Sequence, residues 1–380
     1  MPPSTLVVLA DDLTSAADGA APFRRAGHPV LVLFDLPEAL RAGVTAVDLG
    51  SRLVDATEAA ARTRWAARAY AGADLLLKTV DSTLRGHVAA ELRAALAGSG
   101  RRAAVVAPAF PAEGRTTVGG VQYVRGVRVD ESEFARDPAH PVRTADLARL
   151  LPAATVVEAD RFELLAGSGV FVCSAATEGE LDAVVAAVGR PEDVLWVGSP
   201  GLAAALARRY PRDPAASLPE LPPVRRPLAV VGSANPVSRR QLGALYAQSE
   251  MAGAVADDPP SAVAALSAAR APLLAVHTPD ARGEDPAELT RRLTETAAEL
   301  AREGHADGLV LTGGETAAAV LGALGATGME LLDEPEPGIA RGALHGPTAP
   351  RLPVLVKAGG FGDDGTLSRL CALLTTGHGR

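Results

Sequence analysis

Six prolines fall between Tyr210 and Pro227: Pro211, Pro214, Pro219, Pro222, Pro223 and Pro227. Each proline fixes its own φ and lacks a backbone N–H, so neither a helix nor a central strand can run through such a stretch. It reads as a linker, and a chain of 380 residues exceeds what one core ordinarily organises. The expected division is an N-terminal domain at 1–215, a proline-rich linker at 216–226 and a C-terminal domain at 227–380.

On both sides of the linker, apolar runs of strand length alternate with longer Ala/Leu/Arg segments of helical period. That alternation is the pattern of α/β folds with mainly parallel sheets flanked by helices. Strands are predicted at Thr5–Ala10, Val30–Asp35, Ala46–Leu49, Leu75–Lys78, Ala103–Ala107, Gly169–Cys173 and Val194–Val197. Helices are predicted at Ser15–Ala26, Ala56–Ala71, His87–Ala97 and Leu202–Arg209. Strands then resume at Leu228–Val231, Leu273–His277, Gly308–Leu311 and Pro353–Val356.

The net charge of −8 and basic runs that are only isolated pairs, such as Arg24-Arg25 and Arg239-Arg240, argue against nucleic acid as a partner. Two cysteines, Cys173 and Cys371, make neither a disulfide framework nor a cysteine metal site. No run of about 18 apolar residues is present, and no basic segment followed by an apolar one opens the chain. No membrane partner is expected, and the expected compartment is the cytoplasm.

Chemistry concentrates at predicted strand ends. In LADDLTSAADGA, Leu9 to Ala20, an apolar strand ends in Asp11 and Asp12, followed by a helix from near Thr14. Ligands of open α/β sheets bind at the carboxyl ends of strands, so either carboxylate could meet a substrate hydroxyl, a metal or a basic partner. One of them could equally cap the helix. KTVDSTLRGH, Lys78 to His87, gathers Lys78, Asp81, Ser82 and Arg85 at another strand end. Arg85 could hold a carboxylate bidentately and Asp81 could accept a proton from a sugar hydroxyl; an internal salt-bridge network is the other reading. In APAFPAEGRTTVGGVQYVRGV, Ala107 to Val127, the prolines and glycines predict a long shaped loop, with Arg115 as a second anion contact.

The C-terminal half carries three glycine-rich turns: VVGSANPVSRRQL from Val230, LTGGETAAAVLGALG from Leu311 and KAGGFGDDGTL from Lys357. Small residues let backbone N–H groups approach phosphate oxygens, and a helix N-terminus adds favourable partial charge. One such turn says little, since tight turns need glycine anyway; three in one domain point to a nucleotide phosphate site. No G-x-x-x-x-G-K-[ST] occurs, nor a G-x-G-x-x-G after the first strand, and the seven histidines lack zinc-site spacing. No metal ligands are assigned.

Taken together, ADDLT (Ala10–Thr14), KTVDSTLRG (Lys78–Gly86), APAFPAEGRTT (Ala107–Thr117), GSPGLA (Gly198–Ala203), Gly232-Ser233, TGGET (Thr312–Thr316) and KAGGFG (Lys357–Gly362) resemble the four-carbon acid sugar kinase family over nearly the whole chain. The resemblance implies an N-terminal acid-sugar domain, a C-terminal ATP domain and an active site in the cleft between them. It implies phosphorylation of compounds such as threonate, erythronate or 3-oxo-tetronate. It also implies ATP contacts from Ser233, Gly313, Gly314, Glu315, Thr316 and Gly359, with Mg²⁺ bridging the phosphates. On this reading Arg85, Arg115 and Lys78 grip the substrate carboxylate, Asp11 and Ser82 contact the substrate, and Asp12 or Asp81 positions and deprotonates the acceptor. Ser15, His87, Asn235 and Ala358-Gly359-Gly360 depart from the family pattern, His87 nearest the expected substrate pocket. Two rivals stand beside it: an acid-sugar dehydrogenase, which lacks a dinucleotide fingerprint, and a kinase-like sensor without turnover. Homodimerisation is left open.

Overall fold

A computed structural model of the chain describes residues 3–34, 39–137, 140–212, 221–233, 235–248, 250–279, 285–346 and 351–376. The chain divides into two compact units, Met1–Ser217 and Leu218–Arg380. Residues 216–220 of the expected linker, and Asp35 at the end of an expected strand, lie outside the described residues. The rest of the expected linker is built into the second unit. Val224 is buried in that unit's core, and the N–H groups of Arg225 and Arg226 donate to the Asp307 carboxylate.

The first unit contains the strands β1 (Thr5–Ala10), β2 (Val30–Leu33), β3 (Gly43–Asp48), β4 (Leu75–Thr79), β5 (Ala103–Ala107), β6 (Arg115–Val118), β7 (Val121–Val124), β8 (Val127–Arg128), β9 (Ala154–Val157), β10 (Gly169–Cys173) and β11 (Val194–Gly198). Its α-helices are α1 (Leu13–Arg25), α2 (Ala56–Ala69), α3 (Val88–Ser99), α4 (Leu147–Leu150), α5 (Glu178–Ala187) and α6 (Pro200–Arg209). Its main sheet runs β2-β3-β1-β4-β11-β5-β10-β9, every pair parallel.

Period-two alternation along β1 sends Val7 and Leu9 into one core with Ala66 of α2 and Leu92 of α3. Val8 faces α1 on the other side, so closely that a Cβ on Gly19 would lie 3.1 Å from its side chain and 2.7 Å from that of Thr79. The helices that follow β1 and β4 therefore cover opposite faces. The carboxyl ends of these adjacent strands form a topological switch point, where open α/β sheets bind ligands.

The segment expected to be a long loop is largely regular. β6, β7 and β8 form a small antiparallel sheet. Two-residue turns join them, with φ of +60° and +73° at Gly119 and Gly120 and of +50° and +81° at Arg125 and Gly126. Positive φ at both central residues is what the right-handed twist of a two-residue hairpin demands. Thr116, Thr117, Val118 and Val121 supply β-branched side chains beside the first turn.

The second unit contains β12 (Pro227–Val231), β13 (Met251–Val255), β14 (Leu273–His277), β15 (Gly308–Thr312), β16 (Gly328–Glu336), β17 (Ile339–His345) and β18 (Pro353–Lys357). Its helices are α7 (Pro236–Gln248), α8 (Pro259–Ala268), α9 (Pro286–Arg302), α10 (Gly314–Ala323) and α11 (Thr366–Thr376). β13-β14-β12-β15-β18 are parallel, and β17 and β16 continue the sheet antiparallel. Among the described residues no helix is long and apolar enough to cross a membrane.

Candidate active site

β1 ends one residue before Asp11, and Asp12 caps α1 by accepting from the Ser15 N–H at 2.7 Å. Both carboxylates meet one guanidinium that sequence reasoning missed. Arg52 donates to Asp11 through Nε and Nη2, each at 2.8 Å, reaches Asp12 at 2.6 Å and donates to Ser15 Oγ at 2.9 Å. Ser15, a departure from the family pattern, is thus part of the cluster. Burial pushes the Asp11 carboxyl up, but Arg52 and Lys78 outweigh it and hold it at about 2. A fork donating to two carboxylates is charge-assisted and rigid. The sequence signal was there: Arg52 stands four residues after β3, whose end lies beside that of β1.

Asp48 closes β3 and pairs in register with Ala10, the residue before Asp11. One of its oxygens, Oδ1, accepts from the Gly50 N–H at 2.8 Å. Burial pushes this carboxyl up to about 7 against that hydrogen bond, with the Asp12 and Asp11 charges adding to the rise.

Lys78 is fully buried. Its ammonium lies 3.0 Å from Glu91 Oε2 and donates to the Thr79 carbonyl at 2.7 Å, while Ser51 Oγ donates to Glu91 Oε1. Lys78, expected to grip a substrate carboxylate, is thus paired internally with Glu91 on the first turn of α3.

Asp81 accepts from Thr83 Oγ1 at 2.6 Å and from Arg85 Nε. Burial raises the Asp81 carboxyl, but Arg85 and then Arg52 bring it below the usual carboxylate range. Arg85 also reaches Asp137 at 3.4 Å and lies 5.3 Å from the centre of the Phe134 ring, a cation–π distance. Leu84, between them, holds φ at +64°, and Gly86 at +88°. A leucine in that region is an outlier sustained by its surroundings, and such residues cluster at functional loops. A Cβ on Gly86 would come within 3.2 Å of Asp11 Oδ2. His87 Nε2 meets the Val54 carbonyl at 2.7 Å, and His140 Nε2 meets the Arg52 carbonyl at 2.5 Å. A carbonyl only accepts, so both histidines carry a proton on Nε2; their rings meet edge to face at 5.2 Å.

Ser82 is tied to the hairpin through its carbonyl, which accepts from Gln122 Nε2 at 2.7 Å. Arg115, on β6, donates from Nη1 to the Glu113 carbonyl at 2.7 Å and carboxylate at 2.9 Å. Its Nε is buried without a partner among the described residues. Asp11, Asp12, Lys78 and Asp81 are therefore linked through Arg52, Ser51 and Glu91 or by direct charge, and Arg85 joins them through Asp81. Among the described residues no bond ties Arg115 to that group.

In the second unit, Ser233, Gly313, Gly314, Glu315, Thr316 and Gly359 all line one cleft of roughly 1030 Å³ at the start of α10. Gly313, with φ at +102°, caps α10 and donates to the Lys357 carbonyl at 2.9 Å. Lys357, buried at the end of β18, donates to the carbonyls of Ala358 at 2.8 Å and Phe361 at 3.0 Å, fixing the glycine-rich turn. Burial pulls its ammonium down to about 8 against the Glu336 charge. The glycines differ in cause. A Cβ on Gly232 would lie 2.0 Å from Thr316 Oγ1, and one on Gly359 2.4 Å from Ser233 Oγ, so packing alone demands them. A Cβ on Gly314 would meet nothing within 4 Å. Tyr246 OH and His277 Nε2, 3.1 Å apart, stand on the same cleft.

Fold and sites together define a two-domain α/β protein. A family model described as "Sugar-binding N-terminal domain" matches residues 6–206, and one described as "Nucleotide-binding C-terminal domain" matches 228–367. The chain belongs to the four-carbon acid sugar kinase family. It is 38% identical to a D-threonate kinase of Bordetella bronchiseptica over 95% of both chains, and 37% to one of Cupriavidus necator over 95% of this chain and 96% of that one. A 3-oxo-tetronate kinase of Methylobacterium radiotolerans is 30% identical over 93% of this chain and 95% of its own. A solved Haemophilus influenzae protein shares the fold at 21% identity, with a TM-score of 0.78 over 97% of this chain and 100% of that one. A Bordetella bronchiseptica structure, a domain-swapped dimer with bound citrate, is 34% identical with a TM-score of 0.51 over 99% of each chain.

Proposed function

We propose that the chain is an ATP-dependent kinase that phosphorylates a hydroxyl of a four-carbon acid sugar, with D-threonate the first substrate to test. The observation that carries the reading is the pairing of two chemically distinct sites in a chain of this family. One is a carboxylate–guanidinium cluster at the switch point of the first unit; the other is the glycine-lined cleft at the start of α10. Gly314 lacks a side chain without any packing reason, as expected where backbone N–H groups must approach phosphate oxygens.

ATP would lie with its phosphates against Gly313, Gly314 and Thr316, with Ser233, Glu315 and Gly359 around it. Mg²⁺ would arrive on the β- and γ-phosphates, as phosphoryl transfer ordinarily requires. Arg85 would receive the substrate carboxylate, helped by Arg115 on the neighbouring hairpin, and Ser82 would meet a hydroxyl. Lys78 supports Asp11 by charge. Asp12 and Asp81 are each matched to a guanidinium, which suits them to orienting acceptor hydroxyls. In-line transfer then requires the acceptor hydroxyl to meet the γ-phosphate with water excluded during turnover. The relative's domain-swapped dimer favours a homodimer, which sedimentation measures.

The test is ADP release with Mg-ATP across threonate, erythronate and 3-oxo-tetronate, with both enantiomers of each. A strong response to one compound is expected. Silence across the panel with ATP bound would refute the substrate class, and silence without ATP binding would refute the kinase reading.

A further inference from the structure

Four carboxylates stand at the carboxyl edge formed by β3, β1 and β4: Asp48, Asp11, Asp12 and Asp81. Three of them are matched to cations. Asp11 holds both forks of Arg52, Asp12 takes the remaining Nη1 of Arg52, and Asp81 takes Nε of Arg85. A carboxylate whose lone pairs face guanidinium groups is a poor proton acceptor. Asp48 differs. Its Oδ1 accepts one backbone N–H, from Gly50, and no donor among the described residues reaches Oδ2. The charged groups that bear on it are Asp12 and Asp11 from the β1–α1 junction and Arg52 from the segment after β3. Two neighbouring anions and a buried setting favour its taking up a proton, and its carboxyl sits at about 7, where a base at neutral pH works best.

We propose that Asp48 is the catalytic base of the transfer, accepting through Oδ2 the proton of the sugar hydroxyl that becomes phosphorylated. The assignment rests on the kinase reading above. In the step, a hydroxyl oxygen lone pair forms the new O–P bond to the γ-phosphorus. The bond from that phosphorus to the β–γ bridging oxygen breaks, its electron pair leaving with ADP. The hydroxyl proton passes to the Asp48 carboxylate and then to water, restoring the base. Asp12 and Asp81 orient the hydroxyls, and Arg52 keeps Asp11 ionised beside the base.

The experiment is the pH profile of kcat/KM for the acid sugar in the wild type and in Asp48→Asn, with ATP binding measured on both. The wild type should lose activity as pH falls through the neutral range, because only the carboxylate can accept the proton. Asp48→Asn should lower kcat by about 100-fold or more, bind ATP normally, and show no such limb in its residual activity. Wild-type kcat in Asp48→Asn, or a limb that persists in the variant, overturns the assignment while leaving the kinase reading intact. If Asp48→Asn fails to fold, the wild-type profile decides: activity that is flat, or that falls as pH rises, through neutrality overturns it. A wild type inactive on every acid sugar removes the kinase reading itself, and Asp48 with it.

Discussion

The Asp48 carboxyl should destabilise the fold in a pH-dependent way, and Asp48→Asn should expose that cost. An aspartate that ionises at 3.8 when unfolded and at about 7 when folded binds more protons in the folded state between those values. Stability therefore falls as pH rises from 3.8 through about 7 and is level above it. Integrating between the two states gives a penalty of about 4 kcal/mol at pH 8 and about 2 kcal/mol at pH 5. Asparagine keeps an oxygen to accept the Gly50 N–H but does not titrate. Whatever its amide costs by burial is the same at both pH values, so the difference between them isolates the ionisation. Asp48→Asn should gain roughly 2–3 kcal/mol more, relative to wild type, at pH 8 than at pH 5. Urea unfolding followed by tryptophan fluorescence reads the right unit, because both tryptophans, Trp65 and Trp196, lie in the first. Equal stability differences at the two pH values would show that Asp48 ionises as an ordinary aspartate and would refute the argument.

Gly314→Val should weaken ATP binding at least tenfold while costing no more than about 1 kcal/mol of stability, since a Cβ at this position would meet nothing within 4 Å; calorimetric titration showing wild-type affinity would remove Gly314 from the phosphate site. Lys78→Met should cost about 3–5 kcal/mol by leaving Glu91 buried without its cation, and Lys78→Met with Glu91→Leu should recover most of it. Unchanged stability in the single variant, with a raised KM for the acid sugar, would return Lys78 to the substrate contacts.

Where local physics dominates, the chain could be read directly. The strands at Thr5–Ala10, Ala103–Ala107, Gly169–Cys173 and Leu273–His277 coincide with their predicted bounds, because buried parallel strands are continuous apolar runs bounded by turn residues. β13, MAGAV, was missed: it is an edge strand, half-exposed, and only Val255 among its five residues has a strand preference. The hairpin over 115–128 was legible in principle. Paired positions at Gly119-Gly120 and Arg125-Gly126 sit between β-branched residues, but the prolines that flank the segment are equally the mark of an irregular loop.

The site divides the same way. Asp11, Asp12, Asp81 and Arg85 announce themselves by density in two short motifs. Arg52, Asp48 and Glu91 do not, since each is one charged residue in an unremarkable segment and gains its role only through strand order. β3 enters the sheet beside β1, which carries Asp48 and Arg52 to Asp11 and Asp12 across some 40 residues of chain. α3 returns Glu91 over Lys78. Sequence density thus located the guanidinium-matched carboxylates and passed over the one left without a cation. A base must remain unmatched, so it gains nothing from clustered opposite charge, and a search for charge-rich motifs is biased against finding it. Register at the carboxyl edge is the better guide: the residue beside Ala10 on β3 is fixed by the sheet, whatever motif it lacks.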